Sequence, residues 1–130
     1  PEQTVDWDTK AILLTVKKRE GTFREGGWPR GVAVNEDGMD QAGMGVAVGD
    51  FDRDGNLDLF KTHFADDTNI LYRNNGQGVF EDMTNRSGLG VETRFIGWGA
   101  GMVDLDNDGN PDLFLATGNV YPEIEKKLPS

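Results

Sequence analysis

The chain has 130 residues, enough for one ordinary domain with a core of its own. Acidic side chains outnumber basic ones 23 to 13, and the net charge of −10 repels nucleic acid and anionic membrane surfaces, which argues against both as partners. Absence of cysteine excludes disulfides, thiolate metal sites and a cysteine nucleophile, and no apolar run approaches the length that inserts into a membrane.

A low hydrophobic share of 36% with 18 glycines suits short strands and tight turns better than a helical bundle. The sequence opens at Pro1 without an initiator Met or a signal peptide, and reads as a mature form or an excised piece. Residues 1–10 are polar, with Asp6, Trp7 and Asp8 clustered, and read as an N-terminal linker or edge. Residues 11–17 are β-prone, 18–21 form a turn that includes the basic Lys18 and Arg19, and 22–25 form a short partner strand. A loop rich in Gly, Asn and Asp follows over 26–43, carrying Trp28 and Pro29.

Four strands are then expected in succession, at 44–49, 57–64, 70–73 and 79–83. Residues 65–69 make a turn, and Asn74-Asn75-Gly76 is a strong tight-turn signal. This is an antiparallel meander. The pattern restarts with a strand at 97–103 and another at 113–117. The tail at 121–130 either starts a short helix at Pro122 or is a linker.

Two stretches of nine residues join strands, one from Asp50 to Asp58 and one from Asp104 to Asp112, and both read D-x-D-x-D-G-x-x-D. Aligning 43–60 with 97–114 gives ten identities in eighteen positions at an offset of 54. An internal repeat of about this period points to a propeller or another repeat array. Leu13-Leu14 and Phe23 echo Leu71 and Phe80 in the other half of the repeat. The expected order is therefore half blade plus loop (11–43), whole blade (44–96) and half blade (97–120).

Four carboxylates within nine residues repel one another, and a bound cation is the simplest remedy. Ca²⁺ takes about six to eight oxygen ligands at about 2.3–2.6 Å. Asp50, Asp52 and Asp54 turn inward around the bend that Gly55 permits, the Asn56 carbonyl is placed to coordinate, and Asp58 closes the site. Asp104, Asp106, Asp108, the Asn110 carbonyl and Asp112 repeat the set, giving about two Ca²⁺ per chain. Two ions would take the formal charge from −10 to −6.

An EF-hand fails, because its twelfth position falls on Lys61 and Leu115 and its flanks are β-like. Magnesium keeps its waters, and zinc or copper would want His or Cys where the chain has only His63. The plain alternative is that the Asp-Gly and Asn-Gly pairs merely make hairpin turns. No adjacent base suggests catalysis, and the ion reads as structural.

With these residues in view, the stretch from Gly43 to Phe60, followed by Asn69 to Thr84, resembles a VCBS repeat of the FG-GAP type found in integrin α-subunit propellers. More narrowly, Asn35 to Gly45 and Thr117 to Glu123 are similar to the repeats of ASPIC/UnbV-type proteins. The resemblance implies an all-β array of four-stranded antiparallel propeller blades, about two per chain, held by calcium loops. It also implies an extracellular or periplasmic protein serving adhesion or protein interaction. Such propellers usually close with more blades than this chain holds, so it either assembles into a homo-oligomer or belongs to a longer chain.

The enzyme alternative is thin. A Ser-His-acid triad would have to use His63 with Ser87, and His63 reads as an ordinary strand residue sharing a face with Lys61. A lectin-like module is the other alternative, with Trp28, Tyr72, Trp98 and Tyr121 lining a glycan or peptide surface, unless Trp98 and Phe95 pack between blades. A larger propeller enzyme that contains this stretch is a further reading.

Overall fold

The computed structural model describes residues 15–17, 21–91 and 93–120. Among these residues it is all-β with antiparallel sheets and one short helical turn. Strands β1 (Thr15–Lys17) and β2 (Phe23–Glu25) pair as a hairpin. A meander of four strands follows: β3 (Gly43–Gly49), β4 (Asp58–His63), β5 (Ile70–Asn74) and β6 (Phe80–Asp82), hydrogen-bonded in that order. Strands β7 (Ile96–Val103) and β8 (Asp112–Gly118) form a separate pair. The expected strand at 11–14, the basic turn at 18–20 and the tail at 121–130 lie outside the described residues, as do the linker at 1–10 and Tyr121.

The four-stranded sheet is consistent with a propeller blade. Its turns obey the local chemistry. The Asn74 side chain accepts the N–H groups of Gly76 and Gly78, and both glycines take the positive φ that a side chain resists.

The repeat holds residue by residue in the strand register. Val46 faces Lys61, Ala47 faces Phe60, Val48 faces Leu59 and Gly49 faces Asp58. At the offset of 54, Ala100 faces Leu115, Gly101 faces Phe114, Met102 faces Leu113 and Val103 faces Asp112. Both pairs also slip register at the same point, after Gly43 and after Gly97. A shift of one residue would turn every side chain to the opposite face, so this agreement puts equivalent residues on equivalent faces of the two sheets.

One departure from the sequence reading lies in the 26–43 loop. Gly27–Arg30 forms a single turn, α1, closed by Gly31 in the left-handed conformation at φ 78°. Four residues are too few to show a helical period. The loop beyond it folds over one face of β4 and β5, burying Val32 against Ile70 and Tyr72, with Leu59 and Phe80 at the margin. Arg30 pins this cover by donating from Nη1 to the Gly78 carbonyl at 2.5 Å.

The opposite face of the meander packs on β7 and β8. Ala47, Phe60, Leu71 and Met102 form that core, with Ala100 and Leu113 packed against it. Glycines let the backbones approach. A Cβ on Gly45 would lie 2.2 Å from the Trp98 carbonyl oxygen, and one on Gly49 would lie 2.5 Å from the Met102 sulfur. Gly99 has ordinary room, its nearest neighbour being the Ala116 Cβ at 3.7 Å. Gly45→Ala is therefore expected to cost about 1–3 kcal/mol in denaturant unfolding, the range for overpacking a filled interior, whereas Gly99→Ala stays close to the parent. Equal effects at the two sites would contradict a glycine-dependent junction.

Candidate metal centre

Each acidic loop is held by its own aspartates. In the first loop, the Asp50 carboxylate accepts the N–H of Asp54 at 3.0 Å and of Gly55 at 2.9 Å. Asp52 Oδ1 also accepts from Asp54 N–H at 3.3 Å, and Asp54 Oδ1 accepts from Asn56 N–H at 2.9 Å. Asp58 Oδ2 reaches back to Phe51 N–H at 3.0 Å. The second loop repeats all five bonds: Asp104 accepts from Asp108 and Gly109, Asp106 from Asp108, Asp108 from Asn110, and Asp112 from Leu105. Backbone geometry repeats as well, with Arg53 and Asn107 at φ 61° and 63°, and Gly55 and Gly109 at φ 90° and 87°.

These bonds bring Asp50, Asp52 and Asp54 together with one oxygen of each within 4.8 Å of the others, and they do the same for Asp104, Asp106 and Asp108. Three hard carboxylate oxygens converging on one point suit Ca²⁺ far better than a soft metal. Asp58 and Asp112 stand outside these triplets. Asp58 is fully buried, and its second oxygen accepts Asn74 N–H at 2.8 Å, so it ties the first loop to the end of β5. Asn56 presents both its N–H and its side-chain amide to Asp54, while the Asn110 side-chain oxygen faces Arg53.

Charge separates the groups. Burial raises the Asp58 carboxyl above its ordinary range, and repulsion from Asp52 and Asp54 adds to this against the pull of the Asn74 and Phe51 amides. The Asn56 amide holds Asp54 below that range, with help from Arg73, and the Asn110 amide does the same for Asp108. Arg73 bridges Asp52 at 2.6 Å and Asp54 at 3.3 Å, a contact that sequence spacing did not reveal, because it spans two strands.

The residues weighed for catalysis and for glycan binding are dispersed. His63 is fully buried on β4 and both ring nitrogens lack a hydrogen-bond partner among the described residues, while the Ser87 hydroxyl donates to the Thr84 carbonyl. Tyr72, which the lectin-like alternative places on a binding surface, is buried with its hydroxyl donating to the Val34 carbonyl at 3.2 Å, because the loop after α1 covers it. Trp28 and Trp98 remain exposed. A pocket of about 350 Å³ beside Val34, Glu36, Glu81, Asp82 and Arg86 has its acids engaged: Glu81 by Arg86, Glu36 by Asn85, and Asp82 by the Thr84 and Glu36 amides.

An FG-GAP-like repeat model matches residues 63–115. That stretch resembles an FG-GAP-like repeat. It runs from the end of β4 through the second acidic loop, so the first loop joins the likeness through its identical bonding at the 54-residue offset. A comparison with curated proteins returns no match.

The buried face of β4 makes a pH prediction. Burial pushes His63 down to about 3 from 6.5, and the neighbouring Lys61 charge adds to this. The unfolded chain takes up a proton near pH 6.5 that the folded chain refuses, so stability is lost as pH falls from about 6.5 toward 3. Melting temperature between pH 7.5 and 5 should drop more in the parent than in His63→Asn, and equal drops would contradict this burial. Lys61 is also buried, its ammonium unpaired among the described residues and 5.5 Å from the Tyr72 ring centre, and burial lowers it to about 8 from 10.5. Its cost is full below pH 8 and disappears as pH rises toward 10.5, so Lys61→Met should melt higher at pH 7 and lose that advantage at high pH.

Proposed function

We propose that the chain is a calcium-stabilised β-propeller repeat module that serves extracytoplasmic protein interaction or adhesion without catalysis. The observation that carries this reading is the pair of acidic loops with the same five carboxylate–amide bonds, set 54 residues apart on strands of matched register. Asp50, Asp52 and Asp54, and Asp104, Asp106 and Asp108, would hold the ion, with Asp58, Asp112 and the Asn56 and Asn110 carbonyls completing its shell. Bound there, the ion neutralises carboxylates whose repulsion is felt as far as Asp58. The burial of His63 supports the non-catalytic reading, since substrate would have no access to it.

Partner choice follows from the repeat. At the junction, Ala100 and Met102 pack against the meander, and their counterparts 54 residues earlier are Val46 and Val48, both 54% exposed. Phe60 is 2% exposed in the junction, and its counterpart Phe114 is 54% exposed. The two open faces are thus made of the side chains that mate in the one junction present. We read them as surfaces for further blades, supplied by other copies of the chain in a homo-oligomer or by flanking sequence in a longer one. The likeness to ASPIC/UnbV-type repeats on Asn35 to Gly45 and from Thr117 onward belongs to this same reading.

Calcium at about 2 mM over a Kd of about 0.1 mM contributes roughly 1.8 kcal/mol per site by mass action. Two sites should raise the melting temperature by on the order of 10 °C relative to the protein in EDTA. An unchanged melting temperature would overturn the structural role of the ion.

A further inference from the structure

We propose that Arg73 is a built-in competitor for calcium at the first loop, so that two loops with one donor set load in order, the second loop before the first. This inference rests on the calcium reading of both loops. In each loop the oxygens divide into two groups. Both Asp50 oxygens, Asp52 Oδ1 and Asp54 Oδ1 are committed to backbone amides, which leaves Asp52 Oδ2 and Asp54 Oδ2 as the oxygens with most capacity to spare. Arg73 sits on those two, with Nε 2.6 Å from Asp52 Oδ2 and Nη2 3.3 Å from Asp54 Oδ2. The guanidinium thus neutralises the loop by engaging the same oxygens that a cation would need.

The second loop has the same committed oxygens, Asp104 with both, Asp106 Oδ1 and Asp108 Oδ1. Among the described residues, no basic side chain lies within ion-pair distance of Asp106 or Asp108. Arg53 approaches this loop, but its Nη1 meets the Asn110 amide oxygen at 3.4 Å, and its field is the last of the influences on Asp108. A cation arriving at the second loop therefore meets carboxylate oxygens that no basic side chain among the described residues engages. One arriving at the first must displace or share with a guanidinium that donates two charge-assisted hydrogen bonds. Arg73 is carried on β5 next to Asn74, whose own bonds to Asp58 and Leu57 keep that strand end on the loop when the guanidinium lets go. Loading of the first loop therefore requires the Arg73 side chain, and not the strand that carries it, to move.

Isothermal calcium titration of the full chain tests this in two backgrounds. Asp106→Asn with Asp108→Asn silences the second loop and reads the first, and Asp52→Asn with Asp54→Asn does the reverse. Adding Arg73→Gln should tighten the first loop by about tenfold, the effect of removing one unit charge beside a divalent ion in a solvent-exposed site. The second loop should stay within about twofold. Arg73→Lys, which keeps the charge without the two-pronged geometry, should fall between parent and Arg73→Gln, and it guards against a Gln variant that folds poorly. A first loop that is unchanged or weaker in Arg73→Gln, while the second loop binds normally, overturns the competitor role alone. Failure of either background to bind calcium overturns the calcium reading and this proposal with it.

Discussion

Repulsion among carboxylates is the constraint from which the rest of this structure follows. Nine residues hold four aspartates, and the backbone answers by turning its own N–H groups inward until each of the four has an amide partner. That answer needs a left-handed residue at the fourth position and a glycine at the sixth, which is why Arg53 and Asn107 share one conformation and Gly55 and Gly109 another. Once the loop is wound, Asp58 and Asp112 set the start of the outgoing strand, and the register of β3 on β4 and of β7 on β8 is fixed. The amides direct the charge without removing it, and the raised Asp58 carboxyl still registers its neighbours.

From that register come the faces. The glycines of β3 lie toward β7, and Phe60 and Leu71 join Met102 between the sheets. Thr62 helps to hold this seam, its hydroxyl accepting the Gly45 N–H at 2.8 Å within the sheet and donating across it to the Trp98 carbonyl at 3.5 Å. The other face of β4 and β5 is closed by chain from α1 onward, pinned by Arg30 and by the Tyr72 hydroxyl. The four-stranded sheet is therefore covered on one side by another sheet and partly on the other by a loop, while Met44, Val46 and Val48 along β3 stay open.

Much of this was legible in the sequence, because the strongest signals are local. Alternating apolar residues, the Asn74-Asn75-Gly76 turn and the two acidic loops each specify their conformation within a few residues, and strand ends fall within one or two residues of expectation. The 54-residue offset then carried the register from one pair to the other. What sequence did not reveal depends on residues far apart. Alternation placed Lys61 and His63 on one face, yet it did not show that both are fully buried, nor that a loop some forty positions earlier covers Tyr72 beside them. Arg73 looked like an ordinary strand residue until β5 lay beside the first loop. The turn α1 was too short to leave a period.

Calcium stoichiometry tests the central claim most directly. Native mass spectrometry of the whole chain, titrated with calcium against a magnesium control, counts specific ions for each protein molecule. The account predicts about two calcium ions, falling to one when Asp52 and Asp54, or Asp106 and Asp108, are changed to Asn. No specific calcium, or a count that those substitutions leave unchanged, would contradict it.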